Sequence, residues 1–348
     1  MDAMTKSRSI SNLLDHWVEA IMSNPEAPIP PLDPRVERIL AIAADLRGMP
    51  SQEFKGRLKA DILSRTNRHG QPLFTVDQIN ERLAAMAVEP AMVPHDTEAA
   101  LRDLPNESMR FLMFMDGHTI GVTRGSSPSH WERHPAGDEM LSILEGETEI
   151  VTLTDEGPVH STAGAGSVFI CPRGLWHRLV PRSPISILFA TPGEGTEISA
   201  EENPLGKSKR GRSRASALVA TDIRAAIAAA PELSISASTT EEEAMAAFPK
   251  IAQLDNRGVF VGRFSGESPW ERHAEGDELL HALEGEVEVT VLTDQGAVYA
   301  TLRAGSVFVC PKGLWHKQAP RPAVTLLSAT PQPTDISFAS DPRLTSAI

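Results

Sequence analysis

The sequence predicts a mainly β protein, with two β-barrel domains preceded by an α-helical N-terminal segment. Two blocks of sequence recur after residue 105 at one constant offset, strand patterns follow each block, and the earlier residues carry apolar side chains at helical spacing. The 348 residues are enough for two or three domains. We predict a helical segment at 1–95, a first barrel domain at 96–200, a linker with an alanine-rich helix at 201–240 and a second barrel domain at 241–348.

The N-terminal segment carries helix signals along its length. Residues 11–22 form a first candidate helix, and Asp33 followed by Pro34 is typical of an N-cap with proline in the first turn. Thr75 with Gln78 forms a capping box ahead of a later helix. Such a module either contacts a partner, which includes a second copy in a homo-oligomer, or packs against the rest of the chain.

The region after residue 105 contains an internal duplication. Residues 131–146 and 270–285 agree at eleven of sixteen positions, at an offset of 139 residues (270 − 131). The same offset aligns 166–177 with 305–316, where ten of twelve residues agree. Because both pairs of blocks share one offset, the segment between the blocks has no net insertion in either copy. The sequence therefore predicts two homologous domains.

Strand patterns follow the first block of each copy. Val287, Val289 and Val291 alternate with polar residues, and a Thr-Asp-Gln-Gly turn then precedes another strand pattern. Residues 154–157 occupy the matching turn of the first copy. Many short antiparallel strands joined by tight turns are typical of a sandwich or barrel.

The segment between the copies has the composition of a linker. Basic side chains lie among Gly and Ser at 207–214, and an alanine-rich stretch follows at 221–230. In an acidic chain we interpret the basic run as a solvated domain boundary rather than a nucleic-acid or localisation patch. Thr240 with Glu243 predicts a capping box, and with it a helix that leads into the second barrel.

Composition and charge exclude several classes of function. The chain carries 33 basic and 46 acidic residues, a net charge of −13, so no overall positive field would attract nucleic acid. Two cysteines cannot form a disulfide framework, and the start of the chain does not have the pattern of a secretory signal. No stretch approaches the roughly eighteen apolar residues that would span a membrane. We expect a cytoplasmic protein whose partner is a small-molecule substrate or ligand, with no nucleic acid and no membrane.

The two blocks of each copy resemble the paired motifs of the cupin superfamily. In the first copy the matching positions are His134, Glu139, Gly146, Gly166, Pro172, Gly174 and His177. In the second copy they are His273, Glu278, Gly285, Gly305, Pro311, Gly313 and His316. The resemblance covers roughly 120–195 and 258–335, about half of the chain. It implies two jelly-roll cupin barrels, and hence a bicupin.

The histidines and the glutamate of each copy are candidate metal ligands. A divalent cation binds neutral imidazoles and carboxylates that converge from a rigid scaffold. These candidates are His134, Glu139 and His177 in the first copy and His273, Glu278 and His316 in the second. Two histidines and one carboxylate with open positions suit Fe, which we favour together with Mn, and Zn or Ni also accept such donors. The alternative is a set of hydrogen-bonded structural histidines in a barrel without metal.

Glu132 and Glu271 stand where the family usually has its first histidine. As ligands they would bring two carboxylates to each site, which neutralises a 2+ ion and favours Mn²⁺ or Fe²⁺. As unbound groups they would be candidate catalytic residues, acting as general bases beside the metal. A third alternative is a surface ion pair with Arg133 or Arg272.

Four further side chains are candidate substrate-binding residues. Trp176 and Trp315 either line the mouth of the pocket or pack in the core. Arg173 and Lys312 occupy equivalent positions near the metal ligands. They either attract a carboxylate-bearing substrate or face water at a turn.

Two further pairs of residues lie beside the motif positions, and each pair has two possible roles. Asp138 and Asp277 adjoin the candidate glutamate ligands and could replace them, since strand alternation places only one of each pair inward. Cys171 and Cys310 are either redox-active thiols or small buried hydrophobic residues.

The resemblance implies a metal-dependent oxidoreductase of the dioxygenase type, acting on a small organic acid, a diketone or an aromatic diol. Two alternatives stay open. One is a non-catalytic regulatory cupin that senses a metal or ligand and signals through its helical segment. The other is a redox-neutral, metal-dependent isomerase or lyase. The unchanged ligand residues predict metal binding in both barrels.

Overall fold

The computed structural model describes residues 92–193, 195–204 and 218–344, which belong to one compact unit of the chain. The helices predicted before residue 92 and the basic run at 207–214 lie outside the described residues. A short strand and helix, β1 (His95–Asp96) and α1 (Thr97–Arg102), precede the first repeat. None of the helices in the described ranges combines the length and the hydropathy that a membrane crossing requires.

The first repeat forms two antiparallel sheets. Its strands are β2 (Ser108–Met115), β3 (His118–Gly125), β4 (Trp131–Arg133), β5 (Glu139–Glu145), β6 (Glu147–Thr154), β7 (Gly157–Gly164), β8 (Ser167–Cys171), β9 (His177–Pro181), β10 (Ile185–Pro192) and β11 (Glu197–Ser199). One sheet has the order β8-β5-β10-β3-β2, and the other has the order β11-β4-β9-β6-β7.

The segment that leads into the second repeat contains β12 (Thr221–Asp222), α2 (Ile223–Ala229), β13 (Leu233–Ser234) and α3 (Glu241–Ala247). The helix predicted in the alanine-rich stretch is α2. The predicted capping box at α3 is present, because Glu243 N donates to Thr240 Oγ1 (3.2 Å) and Thr240 N donates to Glu243 Oε2 (2.8 Å).

The second repeat has the same strand order in one continuous sheet. Its strands are β14 (Lys250–Leu254), β15 (Arg257–Ser265), β16 (Trp270–His273), β17 (Glu278–Thr293), β18 (Gly296–Arg303), β19 (Ser306–Cys310), β20 (Trp315–Pro331) and β21 (Thr334–Ser337), followed by a 3₁₀ turn at Pro342–Leu344. The long strands β17 and β20 each span the positions of two strands in the first repeat. The prediction of a mainly β fold with two jelly-roll barrels is confirmed.

The predicted alternation and turns are present in both repeats. Val287, Val289 and Val291 are fully buried. Thr154 Oγ1 donates to the Gly157 carbonyl (2.7 Å) in the turn between β6 and β7, and the turn between β17 and β18 has the same hydrogen bond. These tight turns return the chain antiparallel to itself and so close the sheet that carries the sites.

The last glycine of each first motif permits a close backbone approach. Gly146 and Gly285 both have φ of +80°, a conformation that glycine adopts without strain. A Cβ atom on Gly146 would lie 2.0 Å from the Pro184 carbonyl oxygen, and one on Gly285 would lie 2.2 Å from that of Ala323. Any side chain here would separate the strands that hold the candidate metal ligands.

One hydrophobic core is shared by the two barrels. Met140 and Leu188 from the first repeat and Leu279 and Leu327 from the second are fully buried in a single cluster. Each such side chain contributes about 2 kcal/mol by its removal from water. Separate clusters fill the interiors of the two barrels.

The short segments before each repeat cross to the other one. Strand β1 pairs with β19 of the second repeat, and β12 pairs with β8 of the first. At the helix starts, Thr97 N donates to the Gly305 carbonyl (3.0 Å) and Ile223 N donates to the Gly166 carbonyl (2.9 Å). Each barrel therefore receives an edge strand, and a hydrogen bond from the first residue of a helix, from the segment that precedes its partner.

Candidate metal centres

Four side chains of the first barrel converge on one point. Glu132 lies on β4, His134 follows that strand, and Glu139 and His177 begin β5 and β9. One donor atom from each residue lies within 4.8 Å of the others. His134, Glu139 and His177 are buried, whereas the side chain of Glu132 is 25% exposed. The group therefore combines three buried donors with one carboxylate that reaches solvent.

Strand register accounts for this convergence. Glu132 is paired with His177 between β4 and β9, and Glu139 is paired with Cys171 between β5 and β8. Glu139 Oε2 lies 2.9 Å from His177 Nε2 and 3.3 Å from His134 Nε2. Glu132 Oε1 lies 3.9 Å from His177 Nε2. Adjacent strands thus present donor atoms from opposite sides of one small space.

The second barrel repeats the arrangement with Glu271, His273, Glu278 and His316. Glu278 Oε2 lies 3.0 Å from His316 Nε2 and 3.5 Å from His273 Nε2. The two imidazole rings are 5.2 Å apart by their centroids, against 5.3 Å in the first barrel. Both repeats therefore build the same donor group from the same motif positions.

The outer nitrogen of each histidine has its own contact. His134 Nδ1 lies 3.0 Å from Thr196 Oγ1, and His177 Nδ1 lies 3.3 Å from the Leu175 carbonyl oxygen. In the second barrel the corresponding contacts are His273 with Thr334 (3.2 Å) and His316 with Leu314 (3.3 Å). Such outer contacts orient an imidazole so that Nε2 is available to a metal ion.

Threonines that the sequence reasoning missed hold the central carboxylates. Thr191 Oγ1 on β10 donates a hydrogen bond to Glu139 Oε1, and Thr330 Oγ1 on β20 donates to Glu278 Oε1. Each glutamate therefore turns its other oxygen toward the histidines. A signal for both was available, because Ala-Thr-Pro occurs at 190–192 and at 329–331, which is the repeat offset of 139 residues (329 − 190).

The donor group fits a divalent cation. Among the described residues, His134 Nε2 and His273 Nε2 are buried and have no hydrogen-bond partner. A buried polar atom without a partner is costly, and a cation held between the imidazoles and the carboxylates would satisfy both nitrogens. Imidazole nitrogens and carboxylate oxygens are also the donors that first-row divalent metals accept.

Neighbouring charges within each donor group shift the pKa values of its carboxylates. Burial alone would raise the pKa of Glu139, but the imidazoles of His134 and His177 lower it well below its ordinary value. The pKa of Glu278 is lowered in the same way. Burial, and then the nearby Glu278 carboxylate, raise the pKa of Glu271. Glu139 and Glu278 are therefore ionised, while Glu271 retains a proton more readily than an ordinary glutamate.

The structure separates the alternatives for Glu132 and Glu271. Both carboxylates lie in the donor groups. The neighbouring arginines contact other acids, Arg133 with Glu197 and Arg272 with Asp335. The surface ion pair with the adjacent arginine is therefore not formed, and the roles of ligand and of general base remain.

The two candidate tryptophans contact cationic side chains. Trp176 is buried, and the Arg133 guanidinium carbon lies 5.0 Å from its ring centroid. Trp315 is half-buried, and the Arg272 guanidinium carbon lies 4.7 Å from its ring centroid. These contacts account for both rings by packing, and their contact with a substrate stays a prediction.

The candidate cations Arg173 and Lys312 are exposed on turns. Arg173 Nε donates to the Pro135 carbonyl (2.7 Å). The backbone N–H groups of both residues donate to aspartates, Arg173 to Asp138 and Lys312 to Asp277, each at 2.7 Å. The aspartates beside the central glutamates therefore hold turns rather than join the donor groups, and a substrate role for the two cations stays a prediction.

Cys171 and Cys310 are buried in the interiors of the two barrels. Burial raises the pKa of the Cys171 thiol to about 12, against a smaller opposing effect of His177. Burial raises the pKa of Cys310 as well. A thiol that stays protonated is a poor nucleophile, which favours the interpretation of both cysteines as small hydrophobic residues.

Two sequence comparisons find cupin-related proteins, and one of them lies in the second repeat. A family model described as the EutQ-like cupin domain matches residues 263–324. Germin-like protein subfamily 2 member 4 of Arabidopsis thaliana is 38% identical over 74 residues, which cover 20% of this chain and 34% of that protein. The chain thus matches about a third of the length of this curated relative.

Structural comparison extends the similarity to both repeats. The salicylate 1,2-dioxygenase from Pseudaminobacter salicylatoxidans superimposes with a TM-score of 0.52 and 12% identity, covering 88% of this chain and 99% of that chain. A variant of a salicylate 1,2-dioxygenase in complex with gentisate gives a TM-score of 0.50 at 12% identity, covering 79% and 99%. At this identity the similarity establishes the fold alone. The chain therefore has a two-barrel, bicupin-like fold, and residues 263–324 of its second barrel match a cupin family model.

Proposed function

We propose that this chain is a bicupin that acts as a metal-dependent oxidoreductase of the dioxygenase type, with a small organic acid, diketone or aromatic diol as substrate. The observation that carries the proposal is the donor group itself. Two buried imidazoles and one buried carboxylate leave coordination positions open, an arrangement that suits non-haem iron and its reactions with dioxygen. Both barrels contain this group, so both are candidate catalytic sites.

The donor chemistry favours Fe or Mn. Glu132 or Glu271, as a fourth donor, would bring the charge of each site's two carboxylates to −2 and so balance a divalent ion. A second carboxylate favours the harder cations Fe²⁺ and Mn²⁺, whereas the imidazoles alone would bind Zn²⁺ and Ni²⁺ as well as Fe²⁺ and Mn²⁺. Zn and Ni therefore remain the less favoured ions.

The protein groups have distinct roles in this proposal. The chemistry that a bound ion supplies is polarisation of the substrate oxygens and, for a redox-active metal, electron transfer to dioxygen. Glu132 and Glu271 either complete the ligand set or accept the proton of a substrate hydroxyl. The partial exposure of Glu132 allows a proton to pass to solvent. Because the pKa of Glu271 is raised, this residue holds such a proton more readily.

The similar fold of the salicylate 1,2-dioxygenase suggests the first substrates to test. The experiment uses protein purified without chelator, with elemental analysis followed by oxygen uptake in the presence of salicylate, gentisate, catechols, β-diketones and hydroxy acids. Iron or manganese with substrate-dependent oxygen uptake supports the proposal. Zinc with turnover in the absence of oxygen would contradict the proposal and indicate an isomerase or lyase. Metal binding without turnover of any of these substrates would also contradict it and indicate a regulatory cupin.

A single variant separates the two roles of Glu132. Glu132→Gln should lower oxygen uptake without loss of metal if Glu132 is a general base, and should lower the metal content of the first site if it is a ligand. The matched control is Glu197→Gln, which removes the acid that contacts Arg133 outside the donor group.

We further propose that the protein is cytoplasmic and that its partner is a small molecule. The two free, buried cysteines are consistent with a cytoplasmic location.

A further inference from the structure

Two aspartates on equivalent turns connect the barrels. Asp116 follows β2 and Asp255 follows β14, 139 residues apart (255 − 116). Both have positive φ, 38° and 47°, which aspartate tolerates better than most residues. Each lies against the first motif of the other barrel, beside its central glutamate. We call Asp116 and Asp255 the exchanged aspartates.

Asp255 of the second barrel holds the residue that precedes Glu139. Asp138 N donates to Asp255 Oδ1, and Asp255 N donates to Asp138 Oδ2, each at 3.0 Å. His118 Nε2 donates to the Asp138 carbonyl (3.0 Å) and lies 3.3 Å from Asp255 Oδ2. The remaining oxygen of Asp138 accepts from Arg173 N. The N–H, the carbonyl oxygen and both carboxylate oxygens of Asp138 therefore all have hydrogen-bond partners.

Asp116 of the first barrel makes the reciprocal contacts at Glu278. Asp116 N donates to Asp277 Oδ2 (2.9 Å), and Asp277 N donates to Asp116 Oδ2. Arg257 takes the place of the histidine, since its Nε donates to the Asp277 carbonyl (3.0 Å) and its Nη2 donates to Asp116 Oδ2. The Lys312 N–H completes the set on Asp277 Oδ1. The interface thus repeats one pattern, with His118 in one half and Arg257 in the other.

The motif glycines leave room for the exchanged aspartates. A Cβ atom on Gly137 would lie 2.7 Å from Asp255 Oδ2, and one on Gly276 would lie 2.5 Å from Asp116 Oδ2. No side chain fits at either position unless the aspartate of the other barrel moves. The nearest obstacle at both glycines is therefore the aspartate of the neighbouring barrel, and at Gly276 Arg257 of its own barrel adds a second, with Nη2 2.9 Å from such a Cβ atom.

The contacts continue from Asp138 to the rest of the donor group. Arg173 N, which Asp138 binds, belongs to the turn that leads to His177. Gly174 N of the same turn donates to the His134 carbonyl (3.0 Å). Asp138 therefore joins the strand of the central glutamate to the turn between the two histidines, and Asp255 holds Asp138 in place.

We propose that the exchanged aspartates are positioning residues for the metal sites, with Asp255 setting the place of Glu139 and Asp116 setting that of Glu278. Each barrel then completes the metal centre of the other. This inference rests on the metal binding in the proposed function, but not on the reaction with dioxygen.

The test uses the full chain with His316→Ala, so that only the first site binds Mn²⁺, and follows free Mn²⁺ by electron paramagnetic resonance. Asp255→Ala in this background should weaken Mn²⁺ binding about tenfold, the lower end of the effect of losing a direct contact of a ligand, because Asp255 acts on Glu139 through Asp138. Asp116→Ala is the matched control. It removes the same residue type at the same backbone conformation in the same interface, but it faces the second site. Its effect should stay within about twofold.

Two further variants separate positioning from folding. Asp255→Asn keeps an acceptor at Oδ1 for Asp138 N and should restore most of the Mn²⁺ affinity. Gly137→Ala displaces Asp255 from the other side and should weaken the first site, whereas Gly276→Ala in the same background should not. The spectrum of bound Mn²⁺ should change in Asp255→Ala, because the geometry of the donors changes.

Three outcomes would overturn the inference. Equal losses in Asp255→Ala and Asp116→Ala would indicate a general effect of the interface. Unchanged affinity in both Asp255→Ala and Gly137→Ala would show that Glu139 is positioned without the second barrel. Failure of the His316→Ala parent to bind Mn²⁺, Fe²⁺ or Zn²⁺ would instead refute the metal sites themselves, and the inference with them.

Discussion

Thr330 donates a hydrogen bond of 2.6 Å to Glu278 Oε1, the carboxylate oxygen that the two histidines do not approach. Thr330→Val removes this donor at nearly constant volume. We expect the Mn²⁺ affinity of the second site to decrease about tenfold, because Glu278 is then free to rotate. The measurement is a Mn²⁺ titration of the full chain in a His177→Ala background. Thr330→Ser should restore the affinity, and an unchanged value in the valine variant would exclude an orienting role.

Replacement of His177 tests the ligand prediction directly. His177→Ala should remove the metal from the first barrel and leave one ion per chain, because the donors of the second barrel are separate residues. Elemental analysis of the purified variant measures this ratio, and circular dichroism checks that the β fold is retained. His316→Ala should give the same ratio through loss of the other ion. Two ions per chain in His177→Ala would refute the role of this histidine.

Metal binding should depend on pH through the imidazoles. Burial alone would lower the pKa of His177, but its hydrogen bond with Cys171 and the hydrogen bond and negative charge of Glu139 raise that pKa well above its ordinary value, and the pKa of His316 is raised likewise. Only a neutral imidazole binds metal, so a bound proton must leave. We expect Mn²⁺ affinity to increase with pH, from about 6.5 through the raised pKa, by about tenfold per pH unit for each proton released. An affinity independent of pH in this range would contradict the protonated metal-free state.

His281 makes the fold sensitive to acid. It is buried, and burial lowers its pKa to about 4. The unfolded chain binds a proton near the ordinary histidine value of about 6.5, which the folded chain does not bind until about pH 4. Stability therefore decreases as pH falls through this window, by about 2 kcal/mol between pH 7 and pH 5.

The control for this effect is present in the other repeat, where Ser142 is aligned with His281. His281→Ser should remove the pH-dependent loss. Free energies of unfolding from urea titrations of parent and variant at the two pH values measure the difference. Parallel pH profiles would show that His281 is not the acid-sensitive group.

The duplication made much of the fold predictable from one sequence. The constant offset placed equivalent strands, turns and donors in both repeats, and the motif spacing brought His134, Glu139 and His177 into one group, as expected. Period-two alternation correctly predicted the burial of Val287 and Val289. These features depend on short-range patterns that a linear sequence displays.

The contacts between barrels could not be predicted in this way. Asp116 and Asp277 are 161 residues apart, and no periodicity relates them. Thr196 and Thr334, which contact equivalent histidines, differ by 138 rather than 139 residues (334 − 196), so the alignment conceals their equivalence. Such contacts follow from how two sheets pack together, which depends on the whole buried surface rather than on any local segment.

The crossing of β1 to β19 and of β12 to β8 bears on how the chain could have arisen. A single repeat on its own would keep the short strand that precedes it. It would lose the strand, β12 or β1, that the other repeat's leading segment adds to the edge of its barrel. Two identical copies could each supply what the other lacks and so associate as an arm-exchanged pair. Joining two such copies in one polypeptide would make this pairing independent of protein concentration. The sequences of the two halves could then diverge while the halves stayed paired.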